Sequence, residues 1–311
     1  MSGILVVAGG LSVGLGFVPV LPFDIFASGQ GQLVAEMRLT RFLIAACVGA
    51  SLAAAGMVMQ VILRNPLVEP SILGLNSGAA LAAAAVLLLS AGAVPQIHLS
   101  IAAIFGALSV MGIVLAFGWS PGQRVGVRLI LAGIAVSGLC GALLTALTLS
   151  SPPNRVPRLL AWLAGDLNGL LWGHAMVLAV LVVALYATLL PVLRWLDALN
   201  LDRQSAAGLG IQGRKVVFLP LLIAATAAGV TTSIVGIVAF VGLVAPHMAR
   251  RIMGPSHARV LPAAMLVGAI LVAFADLVGR TMLSPNQIPA GLITALVGAP
   301  WFFVLMARHN V

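Results

Sequence analysis

The segment Ile62-Leu63-Arg64-Asn65-Pro66-Leu67-Val68-Glu69-Pro70-Ser71-Ile72-Leu73-Gly74 stands between two long apolar runs and limits what the chain can become. Two prolines four residues apart forbid a continuous helix, and Pro70 biases Glu69 away from helical geometry. A polar, helix-breaking stretch at the edge of a bilayer is costly unless it lines a cavity or docks a partner. The flanking runs point to that bilayer. Apolar residues are 61% of the 311 and charged residues 7%, against about a quarter charged in soluble domains. The chain therefore reads as a single all-α, polytopic membrane domain.

At about 20 residues per span, hydropathy predicts about ten spans, near 3–21, 42–63, 72–92, 99–119, 129–149, 174–193, 217–235, 237–253, 260–278 and 288–307. The first apolar run lacks a basic leader and reads as a span rather than a cleaved signal. With both termini in the cytoplasm, Arg38, Arg41, Arg155, Arg158 and Arg280 fall outside and the other eleven of the 16 basic residues fall inside. That bias is what membrane topology requires. It accounts for the net charge of +9 without nucleic acid. Spans two to five and seven to ten are both four-helix groups. An odd number of spans separates their starts, so they would lie inverted relative to each other.

Of seven acidic residues, only Asp276 falls clearly within a span. Arg280 lies four residues on, on the same helical face. A structural pair at the outer end of span nine and a functional pair both fit. The lack of other ionisable groups deep in spans speaks against a proton- or sodium-coupled carrier. His247, after Pro246, reads as a structural histidine, and the histidines lack metal-ligand spacing. No cofactor is expected. Cys47 and Cys140 read as buried small apolar residues rather than a disulfide. The sole lysine, Lys215, lies between Arg214 and Val216, so the chain has no Gly-Lys-Ser/Thr phosphate loop. If transport is ATP-driven, the motor is another polypeptide, and this chain is not itself the enzyme.

Two segments outside the spans stand out. Residues 157–169 can form a short amphipathic helix on the outside, before the sixth span. Residues 194–216 make the longest polar stretch on the inside. Its core, Asp202 to Gly210, reads as a short helix, a glycine stop and a second turn.

Several motifs resemble the FecCD-type permeases of ABC importers for iron–siderophores, haem and cobalamin. Arg38-Leu39-Thr40-Arg41 resembles the arginine pair that opens span two, with Thr40 in place of the usual proline. Residues 49–60 (GASLAAAGMVMQ) and 64–78 (RNPLVEPSILGLNSG) follow the family pattern. So do residues 236–250 (GIVAFVGLVAPHMAR), Ala275-Asp276 with Arg280, Ile288-Pro289-Ala290-Gly291 and Gly298-Ala299-Pro300-Trp301-Phe302. Their joint order and spacing cover nearly the whole chain.

The resemblance implies two permease subunits, identical or paralogous, around one pathway in a bacterial inner membrane. It also implies a cytoplasmic ABC ATPase dimer and a periplasmic or lipid-anchored binding protein that delivers a metal–chelate substrate. It places binding-protein docking at Arg38, Arg41 and Arg280, where exposed arginines suit carboxylates. Headgroup anchoring in membrane lipid is the alternative for Arg38 and Arg41. It places ATPase coupling at Ala206, Leu209 and Gly210, with Gly208 allowing the turn. Asp202, usually glycine, and Ala207, usually arginine, depart from the pattern. Inner gates are implied at Asn65–Leu67 and in the loop at Gly126–Val127. Ser137, Gly141 and Thr145 would line the pathway with neutral, small or polar surface. A ferric siderophore is the favoured cargo, with haem and cobalamin as alternatives. A secondary carrier and a membrane scaffold are the readings from other classes.

Overall fold

A computed structural model describes residues 3, 5, 9, 10, 12, 30–90, 94–119, 125–198, 214–283 and 286–308. The described residues are helical, without strands. In chain order they form α1 (Gln30–Ile62), α2 (Leu75–Leu89), α3 (Gln96–Gly118), α4 (Val125–Leu149), α5 (Val156–Leu163) and α6 (Trp172–Leu189). A 3-10 turn, Leu190–Val192, leads to α7 (Leu193–Ala198). Then come α8 (Arg214–Val235), α9 (Val241–Met253), α10 (His257–Thr281) and α11 (Ala290–Arg308). Among the described residues six helical stretches are long and apolar enough to cross a membrane; Leu75–Leu89 and Ala290–Val304 are shorter apolar helices. Most of the first expected span, 3–21, lies outside the described residues.

Helix α1 is the axis of the bundle. Its 33 residues extend about 50 Å at 1.5 Å each, more than the ~30 Å hydrocarbon core. It starts twelve residues before the expected boundary at 42. Hydropathy drops across Gln30–Arg41, but that stretch has no glycine or proline after Gly31. Gln32 donates to Glu36 at 3.1 Å, and the Thr40 hydroxyl donates to the Glu36 carbonyl at 2.8 Å. Arg38 and Arg41 therefore lie within a helix, not at the mouth of a loop.

Helices cross α1 backbone to backbone at small residues, as expected where dispersion rather than hydrophobicity drives packing in lipid. A Cβ added at Gly49 would lie 2.0 Å from the Gly268 carbonyl oxygen, and one at Gly268 would lie 2.2 Å from that of Gly49. These contacts seat α10 on α1. Polar bonds add specificity away from that crossing. Ser100 donates to the Ser233 carbonyl at 3.0 Å, joining α3 to α8. Thr232 donates to Asn76 at 3.2 Å, and Asn76 donates to Ser71 at 2.8 Å. Of the amphipathic helix expected at 157–169, only the first part forms, as α5; Gly165 and Gly169 are left-handed and lie beyond its end. Its root is fixed by Arg155, which donates to the Leu88 and Ser90 carbonyls at the end of α2.

Candidate functional site

Two of the helices that correspond to expected spans are too short to cross a bilayer. Helix α2 has 15 residues and α9 has 13, or about 22 and 20 Å. Each starts from a left-handed residue, Gly74 at φ 81° and Phe240 at φ 66°. The broken segments before them meet. The Glu69 carboxylate, buried between Pro70 and the α9 N-terminus, accepts the Phe240 N–H at 2.8 Å. It thereby satisfies a helix-end donor that would otherwise be an orphan. Burial pushes its carboxyl up to about 7, against the opposing pull of the Phe240 N–H and of Ser71. Sequence reading located the break but not this partner. An acid between two prolines in an apolar setting was the available signal.

Helix α1 stops in a defined way. Asn65 N–H donates to the Gln60 carbonyl at 3.1 Å and Arg64 N–H to the Val61 carbonyl at 3.2 Å. These are the two bonds of a Schellman motif, with Arg64 at φ 49° in the place where glycine is usual. The left-handed conformation costs a non-glycine residue about 1–2 kcal/mol. Asn65 then accepts the Leu67 N–H at 2.9 Å in an Asx turn. The proposed inner gate, Asn65 with Leu67, is thus a structured corner.

The second gate position lies beside it. Gly126 and Val127 fall in the first turn of α4 rather than in a loop before it, because nothing between 125 and 131 breaks a helix. A Cβ at Gly126 would lie 2.5 Å from the Leu63 carbonyl oxygen, and one at Gly133 would lie 2.6 Å from that of Ile72. Ser137 comes next along the same face: its hydroxyl would meet a Cβ at Gly74 at 2.9 Å. So α4 runs along the whole broken segment with its small residues turned towards it. Gly141 faces open space. Thr145 is exposed and returns its hydroxyl to the Gly141 carbonyl at 2.9 Å. Beyond these residues α4 presents an exposed apolar flank that includes Val127, Leu131 and Ile134. Helix α11 bears an apolar groove of about 740 Å³ lined by Ile288, Leu292, Leu296, Ala299 and Phe303 among others.

At the opposite end of α1 the three arginines are separated by role. Arg41 Nε binds Asp276 Oδ1 at 2.7 Å, and its Nη1 donates to Gln287 at 2.7 Å. Arg280 Nε stands 3.8 Å from Asp276 Oδ2, and its Nη2 donates to Ser12. Side-chain exposures of 13%, 1% and 7% for Arg41, Asp276 and Arg280 make this a buried cluster. Arg38 is half-buried outside it. Sequence spacing showed the Asp276–Arg280 pair but missed Arg41, which lies 235 residues from its partner. Among the described residues, no group of three or more His, Cys, Asp or Glu is placed to hold a metal ion. Asp202, Ala206, Gly208, Leu209 and Gly210 lie outside the described residues.

Comparison with known proteins agrees with this architecture. A model of the FecCD transport family matches residues 4–308. The Fe(3+)-citrate import system permease protein of Bacillus subtilis is 34% identical, over 98% of this chain and 93% of its own length. The vitamin B12 import system permease protein of Vibrio vulnificus is 35% identical, over 100% of this chain and 93% of its own. A solved metal-chelate type ABC transporter in an inward-facing conformation superposes with a TM-score of 0.87 at 31% identity, covering 99% of this chain and 97% of that one. With the motifs, the two short helices and the match over nearly its full length, this chain belongs to the FecCD transport family of membrane permeases.

Proposed function

We propose that the chain is the membrane subunit of an ATP-driven, binding-protein-dependent importer of a ferric siderophore. The observation that carries the reading is the meeting of two broken helices in a family member matched from residue 4 to 308. The short helices α2 and α9 correspond to spans three and eight. Those are equivalent places in an inverted repeat of spans two to five and seven to ten. Short, interrupted hydrophobic segments in matching positions point to the substrate route of a transporter. Asn65, Leu67, Gly126 and Val127 close that route on the cytoplasmic side, and Ser137, Gly141 and Thr145 line it. A second permease subunit, identical or paralogous, covers the exposed flank of α4 and completes the pathway.

The chemistry disfavours a secondary carrier. Among the described residues two carboxylates are buried, Glu69 and Asp276. One is bound to a helix end and the other to Arg41, so both are committed to structure. The energy comes from a cytoplasmic ATPase dimer that docks on the segment around Asp202–Gly210. A binding protein in the periplasm, or lipid-anchored, docks on the opposite rim near Arg38, Arg41 and Arg280. The membrane is the bacterial inner membrane, with both termini in the cytoplasm. Relatives of nearly equal identity carry names for ferric citrate and vitamin B12, which supports a metal-chelate class of cargo. The test is co-purification of the assembled complex with its binding protein, followed by identification of the bound ligand. A ferric siderophore is expected. Haem or cobalamin would move the assignment within the class, and a metal-free amino acid or sugar would overturn it.

A further inference from the structure

Helix α9 carries a proline in its interior, Pro246. Proline has no N–H, so the carbonyl four residues back, that of Gly242, receives no bond from its own helix. The Gly242 carbonyl oxygen turns to α1 instead. A Cβ added at Gly56 would lie 1.9 Å from it, so glycine at 56 is what lets the two backbones meet. One turn further along α1, the Gln60 side chain fills the gap. Its Nε2 donates to the Gly242 carbonyl at 3.2 Å and to the Leu243 carbonyl at 3.4 Å. Its Oε1 accepts from Nη2 of Arg250, in the last turn of α9. The two ends of this amide are not interchangeable. Turned over, its NH2 would face a guanidinium and its oxygen two carbonyls. Gln60 is buried, so losing these bonds would leave polar groups unsatisfied away from water. The backbone of the same residue anchors the gate corner, since its carbonyl accepts the Asn65 N–H at 3.1 Å.

One residue therefore holds the proline gap of α9, the last turn of α9 and the corner at Asn65. A helix that lacks a backbone bond bends at that point, so α9 is weakest at Pro246. We propose that Gln60 is a positioning residue for transport. It sets the bend of α9 by holding the freed carbonyl, and it makes the last turn of α9 and the gate corner move as one body. The short link from α9 to α10 is tied in turn to α7, where Asp197 Oδ1 accepts the His257 N–H at 3.0 Å. A displacement that enters through α7 then reaches Asn65 by way of Arg250 and Gln60. Without the Gln60 side chain, α9 flexes at Pro246 and the corner stays behind. This inference rests on the importer reading above and deepens it; it does not depend on the cargo.

The test uses the full permease with its ATPase and binding protein, and crosses Gln60 variants with Pro246→Ala. Pro246→Ala returns a backbone N–H to the Gly242 carbonyl. Gln60→Met keeps the length of the side chain without its amide. Gln60→Glu keeps an acceptor for Arg250 but has no donor for Gly242. In nanodiscs, Gln60→Met should lower the unfolding midpoint by about 3 °C or more, and by less when Pro246→Ala is present. The second readout is uptake of radiolabelled ferric siderophore per ATP hydrolysed in proteoliposomes, which a purely structural role would not move once folding is restored. That ratio should fall at least threefold in Gln60→Met. In Gln60→Met/Pro246→Ala it should stay at least threefold below Pro246→Ala alone, because Arg250 is still untied. In Gln60→Glu/Pro246→Ala it should return to at least half the Pro246→Ala value. A wild-type ratio in Gln60→Met would overturn the proposal. So would recovery of the ratio in Gln60→Met/Pro246→Ala, which would make Gln60 a plug for the proline gap and nothing more. Absence of ATP-driven uptake by the wild-type complex would defeat the importer reading and this proposal with it, whereas failure confined to the Gln60 variants leaves that reading standing.

Discussion

Replacing Asp276 with asparagine keeps the side-chain shape and removes the one negative charge of the buried cluster. The carboxylate contacts Arg41 at 2.7 Å and stands 3.8 Å from Arg280, with all three side chains at least 87% shielded from solvent. Asparagine leaves two guanidiniums without a counter-ion where water cannot reach them. Breaking a buried pair by deleting one partner costs about 3–5 kcal/mol. Loss of the charge-assisted Arg41 bond alone accounts for about 1.5–3 kcal/mol of that. The double variant Asp276→Asn/Arg41→Gln removes a stranded cation as well, so it should recover part of the loss. A double-mutant cycle should therefore show about 1–3 kcal/mol of coupling. The assay is the unfolding midpoint in nanodiscs, read from tryptophan fluorescence. A midpoint for Asp276→Asn within about 1 °C of wild type, or additive single effects, would refute the reasoning. In that event Arg41 and Arg280 would not depend on Asp276 for their placement.

Three further outcomes follow from other parts of the molecule. Gly268→Ala puts a Cβ about 2.2 Å from the Gly49 carbonyl oxygen, so α1 and α10 must part. A loss of about 1–3 kcal/mol is expected, measurable as reduced yield of folded protein; normal yield and melting would mean that the crossing can yield. Burial holds the Glu69 carboxyl up to about 7 against an ordinary 4.5. The native state thus keeps a proton that the unfolded chain releases, and stability should fall as pH rises from about 4.5 through about 7, by up to ~1.4 kcal/mol per unit. Glu69→Gln should flatten that dependence in melts at pH 5 to 8 and leave ATP-driven uptake intact, whereas abolished uptake would mark Glu69 as a proton carrier. Gly210→Val should uncouple ATP hydrolysis from uptake or block ATPase assembly while the chain still inserts; wild-type transport with normal ATPase stimulation would move the coupling role to another inner segment.

Much of this architecture is legible in the residues, and the exceptions have physical causes. Apolar runs locate α3, α4, α6, α8 and α10 to within a few residues, because a helix in lipid must satisfy its backbone internally. Hydropathy misjudges the start of α1, since Gln30–Arg41 is polar and still helix-favouring. It also misplaces the start of α9, because Ile237 to Phe240 is apolar but ends at a left-handed Phe240, which no composition signals. The end of α1 falls within a residue of the expected boundary at 63, although Arg64 holds the left-handed position where glycine is usual. The candidate gates were named separately from the family pattern, and the fold brings them together through Gly126 on the Leu63 backbone. Pairing of Arg41 with Asp276 needed the fold, since a contact across 235 residues leaves no local trace.

The central claim is that a separate ATPase drives cargo through this chain. The direct measurement is uptake of a radiolabelled ferric siderophore into proteoliposomes that contain the permease, its ATPase and the loaded binding protein. Uptake should require ATP and should vanish when the ATPase is omitted or its phosphate-loop lysine is replaced. It should be indifferent to collapse of the proton gradient. Uptake by the chain without ATPase, or uptake driven by a proton or sodium gradient alone, would contradict the account.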